Sequence, residues 1–88
     1  YAPSPWEVWF RGLSLLDRGD EGPAREAFAR GLEEHPHDPG VRYHHAILLA
    51  RLGERDAAAA ALREAAELDP SLLERARRDE HLRDLVAA

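Results

Sequence analysis

GERDAAAAALREAAELDP, residues 53–70, decides how the whole chain reads. It opens on a helix-stopping glycine, runs through small residues of high helix propensity, and closes on Leu-Asp-Pro. The same pattern stands upstream. Gly53 answers Gly19, Ala58 answers Ala24, Ala61 answers Ala27, Glu67 answers Glu33 and Pro70 answers Pro36; 53 − 19, like each of the other differences, is 34. Phe28 matches Leu62, and Gly31 matches Ala65. A fixed period of this length marks a repeat protein, in which each helical unit covers the apolar face of the next.

Working outward, Ser4-Pro5-Trp6-Glu7 reads as a helix start: a capping serine, proline at the first helical position, and a glutamate that completes a capping box. This predicts a helix from Pro5 to about Arg18, stopped by Gly19 in a left-handed turn. Asp20 is placed to cap a second helix that ends near Glu34, before Pro36. Asp38-Pro39 repeats the start chemistry and opens a third helix to about Leu52. A fourth is expected over Arg55–Leu68. Ser71-Leu72-Leu73-Glu74 reads as another capping box, opening a short helix to about Arg78 with Leu72, Leu73 and Ala76 inward. His81–Ala87 reads as one or two further turns carrying Leu82, Leu85 and Val86. The period is lost after Pro70, and a charged segment with a few inward leucines is what an array needs as a cap. The expected fold is therefore all-α, one domain: repeats at 5–36 and 37–70, and a capping segment at 71–88.

With 88 residues, the chain buries a thin core, which stacking of repeats offsets. All 12 basic residues are arginine, which fits the base composition of a GC-rich genome more than a chemical need. The formal net charge is −5, and the densest basic stretch, Arg75 to Arg78, is flanked by Glu74, Asp79 and Glu80. No nucleic-acid partner is expected. There is no cysteine, so disulfides, thiolate zinc sites and thiol nucleophiles are excluded. No apolar run is long enough for membrane insertion and no signal peptide is visible; a cytoplasmic location is compatible. The start at Tyr-Ala-Pro and the lack of methionine read as a piece or one domain of something longer.

These residues resemble the tetratricopeptide repeat, a helix-turn-helix unit with a small residue in mid helix A, glycine at the turn, alanine and a large apolar residue in helix B, and a closing proline. Here they are Gly12, Gly19, Ala24, Phe28 and Pro36, then Ala46, Gly53, Ala58, Leu62 and Pro70. The resemblance covers Pro5 to Pro70, and the tail DEHLRDLV looks like a segment that closes bacterial arrays of this kind. Arg11 and His45 depart from the pattern, standing where leucine is usual. The resemblance implies right-handed stacking and a concave groove, lined by the A helices, that takes a peptide or a partner helix. Carried over, that groove is Trp6, Trp9, Phe10, Leu13, Leu16 and Asp17 from the first helix, with Tyr43, His44, Ile47, Ala50 and Arg51 from the third.

The spacing of Trp6, Trp9, Leu13 and Leu16 agrees, since i, i+3, i+7 and i+10 form one helical stripe. So apolar and aromatic a face implies an apolar protein or peptide partner, read as a non-catalytic interaction module. Two other readings stay open: a homodimer through the same face, or ordinary core covered by the C-terminal helices. His35, His37, Asp38, His44 and His45 lie close together and raise a metal site as a lesser alternative. Adjacent His44 and His45, however, point about 100° apart on a helix, and His35 has an ordinary role at a helix C-terminus. No cofactor is expected. Ser4 and Ser71 are explained as caps, and Gly19 and Gly22 follow no strand, so neither catalysis nor a phosphate loop is expected.

Overall fold

The computed structural model describes residues 2–86, and its first four helices fall where the period places them. In chain order they are α1 (Pro5–Asp17), α2 (Glu21–Glu34), α3 (Pro39–Arg51), α4 (Arg55–Leu68), α5 (Ser71–Ala76) and α6 (Arg83–Val86). The expected end of the last segment, Ala87, lies outside the described residues. The fold is all-α. α1 and α2 form one antiparallel hairpin, α3 and α4 a second; α1 packs on α3, and α5 closes the array against α4.

The helix ends show why the chain turns where it does. At the start of α1 the Ser4 amide and Oγ donate to Glu7 Oε1 at 3.4 and 3.0 Å. At α3, Asp38 Oδ1 accepts the Val41 amide at 2.9 Å. Both inter-helix turns use a left-handed glycine, Gly19 at φ +85° and Gly53 at φ +80°, a conformation that a Cβ makes costly. The two turns close alike: the Asp20 amide donates to the Leu15 carbonyl and the Glu54 amide to the Leu49 carbonyl, each at 2.9 Å.

Two expected caps are made differently. Asp20 occupies the capping position of α2, but its carboxylate turns toward Arg18 at 3.6 Å and makes no cap bond. Ser71 lies inside α5 instead of capping it. Asp69 supplies the acceptor, taking the Ser71 amide at 3.1 Å and its hydroxyl at 2.7 Å. An aspartate one residue before the proline reaches the free amides more directly than a serine one residue after it.

Packing within each hairpin rests on small residues. Val8, Ala24 and Phe28 are buried between α1 and α2, with Val41 and Leu48 of α3 completing the cluster. A methyl group on Gly12 would run into the Phe28 ring, and one on Gly31 would overlap the Val8 side chain. The second cluster joins Tyr43, Ala46, Ile47 and Leu49 of α3 to Ala58, Ala61, Leu62 and Ala65 of α4. It is closed from the C-terminal side by Leu72, Ala76 and Leu82. Leu73, Leu85 and Val86 are only partly buried against it.

Gly31→Ala is expected to destabilise the chain by about 1–3 kcal/mol through overpacking against Val8, despite the roughly 1 kcal/mol that alanine gains over glycine in a helix. Adding Val8→Ala, which vacates that space, should cost less than the sum of the two single changes. Urea denaturation of the two single variants and the double variant measures this coupling; strict additivity would contradict the close approach.

Candidate interaction surface

The aromatic stripe of α1 divides in the folded chain. Trp9 is half-buried, its indole lying flat on the His44 imidazole with ring centroids 3.9 Å apart and planes 7° from parallel. Leu13 and Leu16 are also partly buried against the core clusters. At the C-terminal ends of the same two helices, Arg51 Nη2 donates to Asp17 Oδ1 at 2.6 Å. These residues form the seam between the hairpins. Trp6 and Phe10 stay outside it, 57% and 58% exposed, and pack edge to face with centroids 6.0 Å apart.

The third helix does not add an open aromatic face. Tyr43, His44 and Ile47 are 1%, 8% and 8% exposed and belong to the core, a correction to the groove expected above. The repeat supplies the reason. Tyr43 and Ile47 stand 34 residues after Trp9 and Leu13 (43 − 9 and 47 − 13), so they lie on the face that the next unit covers. For the first hairpin that unit is α3; for the second it is the cap, through Leu72, Ala76 and Leu82. Tyr43 is enclosed so fully that its hydroxyl has no hydrogen-bond partner among the described residues, while the Arg75 guanidinium lies 5.2 Å from its ring centroid. Burial, and then Asp79, push that hydroxyl above its ordinary pKa.

Trp6 and Phe10 border a groove of about 620 Å³ built from the first hairpin and the lead-in. Val8, Leu15, Pro23 and Ala27 give it apolar walls; Glu7, Arg11, Glu26, Arg30 and Glu34 set charge around them. Its direction follows from helix geometry. Glu7 and Arg11 each lie two residues from Trp9, so they project about 160° around the helix from it. Trp9 faces α3, so the groove opens on the side of the first hairpin away from the second. Arg11 is exposed there. His45, thirty-four residues after Arg11 (45 − 11), is half-buried with its ring centroid 5.5 Å from that of Phe28.

Of the residues lining this groove, the expected face of α1 contains Trp6 and Phe10 alone; the wall from α2 is not legible in that face. A signal was present: Pro23, Glu26, Ala27, Arg30 and Glu34 recur at helical spacing and share one face. A tie between the two turns was also missed. Arg25 donates to Glu54 through Nη1 and Nη2 and to Glu21 through Nε, the last at 3.2 Å. The Arg25 guanidinium holds the Glu54 carboxyl below its ordinary pKa.

The histidines serve separate local contacts. His35 Nε2 lies 2.6 Å from the Pro3 carbonyl and donates to it, fastening the lead-in to the end of α2. His44 Nδ1 lies 2.7 Å from the Gly40 carbonyl, which can only accept, so that nitrogen carries the proton. His45 packs over Phe28, and His37 is exposed. Among the described residues no three His, Asp or Glu side chains converge in a metal-holding arrangement. No described helix is long and apolar enough to cross a membrane.

Comparison with family models, curated proteins and solved structures returned no match. The candidate surface is therefore defined by its own geometry: an aromatic edge, an apolar groove beside it, and charges of both signs around the rim.

Burial lowers the pKa of both His44 and His45 from the ordinary 6.5. Around His44 this outweighs the Gly40 carbonyl, with Arg75, Asp79 and Asp38 as smaller influences; around His45 the charged neighbours are Glu64, Arg42, Arg25 and Glu54. The unfolded chain then binds more protons than the folded one between the lowered values and 6.5. Stability is accordingly full above that window and is lost as pH falls through it. Melting temperatures measured from about pH 7.5 to about pH 5 should fall, and His44→Gln with His45→Gln should flatten the fall. An unchanged slope in the double variant would contradict this assignment.

Proposed function

We propose that this chain is a non-catalytic protein–protein interaction module that takes an apolar peptide or an amphipathic helix against the aromatic edge of its first helix. The observation that carries this reading is the exposure of Trp6 and Phe10 beside an apolar groove, in a chain whose other aromatic side chains described by the structure are buried or partly buried. Large aromatics bring much contact area to an interface, and grouped exposed apolar side chains mark interaction surfaces. Helix-in-groove recognition needs an apolar trough with a polar margin, and the first hairpin offers both.

The resemblance to tetratricopeptide repeats supports the same class of function. The expected surface, however, is relocated. α3 keeps its aromatic residue inside the array, and Trp9, Leu13 and Leu16 are spent on the seam, leaving Trp6 and Phe10 to face a partner. Arg51 is engaged with Asp17, so its contribution would be to the seam.

Trp6 emission tests this reading. In a Trp9→Phe background, Trp6 is the sole indole of the chain. Titration with a Leu/Ala-rich amphipathic helical peptide should shift its emission to the blue, and Phe10→Glu should weaken that response about tenfold or more. Emission that stays solvent-like against a panel of apolar helical peptides would refute the module.

A further inference from the structure

The junction between the two hairpins is built on two adjacent histidines. His44 and His45 leave α3 about 100° apart, so each meets a different helix of the first hairpin. His44 lies flat against Trp9 of α1, and His45 tilts over Phe28 of α2. The first hairpin is therefore held at both of its helices through an imidazole. Two other polar ties across the seam, Asp17 with Arg51 and Glu54 with Arg25, are carboxylate–arginine pairs. Carboxylates keep their charge until about two pH units below the point at which imidazoles take up protons. Mild acid thus alters the two histidine contacts and leaves those ion pairs intact. The contact of the cap with α3 carries nothing that titrates in that range: Leu72, Ala76 and Leu82 cover Tyr43 and Ile47 there.

A proton on either ring brings charge into a site without a counter-ion. His44 is 8% exposed, and His45 is half-buried. α1 turns an indole toward His44; the charged groups that act on this ring are Arg75 and Asp79 of the cap and Asp38 at the start of α3. Around His45 they are Glu64 of α4, Arg42 of α3, Arg25 of α2 and Glu54 of the second turn. Every carboxylate in these sets is already engaged. Glu64 holds Arg42 at 3.0 Å, and Glu54 holds Arg25. Asp38 and Asp79 accept the amides of Val41 and His81 at 2.9 and 2.8 Å. The Trp9 face attracts a cation, but that attraction is small beside the cost of taking an imidazolium out of water. Burial accordingly holds both rings below the ordinary histidine pKa. We infer that the seam is an acid-sensitive joint: uptake of protons by His44 and His45 frees the first hairpin, while the second stays closed under its cap. The loss of stability in acid is thereby placed at one interface. It does not depend on what occupies the aromatic edge.

Trp9 reports on the joint directly. Trp6→Phe, a change at an exposed ring, leaves Trp9 as the sole indole. From about pH 7.5 to about pH 5 its emission maximum should move to the red as the stack opens. Over the same range, in the wild-type chain, the protection of α1 and α2 amides against hydrogen exchange should fall about tenfold or more, and that of α4 amides should fall less. His44→Phe with His45→Leu keeps apolar packing at the joint and takes up no proton there. This double change should hold the Trp9 emission and the α1 protection at their neutral-pH values. Helical circular dichroism at about pH 7.5 confirms that each variant is folded, and the exchange comparison in the wild type decides the matter if the double variant fails to fold. An emission maximum that stays constant across the range overturns the inference. Equal loss of protection in α1 and α4, which is ordinary melting, also overturns it, as does a double variant that still opens in acid.

Discussion

The flat stack of the Trp9 indole on the His44 imidazole joins the two helical hairpins. Neither hairpin is large enough to bury an apolar core alone, so each depends on the face of the other. The stack works with three further ties along the same seam: Phe28 beside His45, Asp17 with Arg51, and Arg25 with Glu54. An aromatic pair of this kind adds about 0.5–1.5 kcal/mol beyond the area it buries. The Gly40 carbonyl, one turn before His44, holds the imidazole by its Nδ1 proton and so fixes the ring presented to Trp9. The rest of the architecture follows from that junction. The stripe that faces forward on α1 is consumed by it, and the same stripe on α3 must be covered by something else.

That something is the C-terminal segment, and its role was readable from the loss of the period after Pro70. Much of the fold was equally legible. Glycine at 19 and 53, proline at 5 and 39, and the alanines of α2 and α4 each have a local physical meaning that tertiary context did not override. The caps were less secure. Asp69 and Ser71 both can accept a backbone amide, and only the position of the helix start decides between them.

The surface was harder to read for a different reason. Helical spacing tells at which angle a side chain leaves its helix, not which neighbour stands at that angle. Trp6, Trp9, Leu13 and Leu16 share a stripe, yet Trp9 meets α3 while Trp6 meets solvent. Tyr43 and His44 looked available on α3 because the seam on one side and the cap on the other are invisible in one helix taken alone. His45 illustrates the same limit: a polar residue is accommodated on α3 because its ring lies against Phe28.

The uneven burial of the two A helices sets an order of opening within the chain. α3 has seven buried residues and neighbours on both sides; α1 has two, Val8 and Gly12, and one hairpin to lean on. In an array held by nearest-neighbour contacts, local stability falls toward the element with fewest partners. Backbone amides of α1 therefore exchange with solvent through smaller openings than those of α3, and the aromatic edge sits on the less buried of these two helices. Whatever covers that edge does more than attach to a surface: it supplies the neighbour that α1 lacks, and slows exchange along the whole first hairpin.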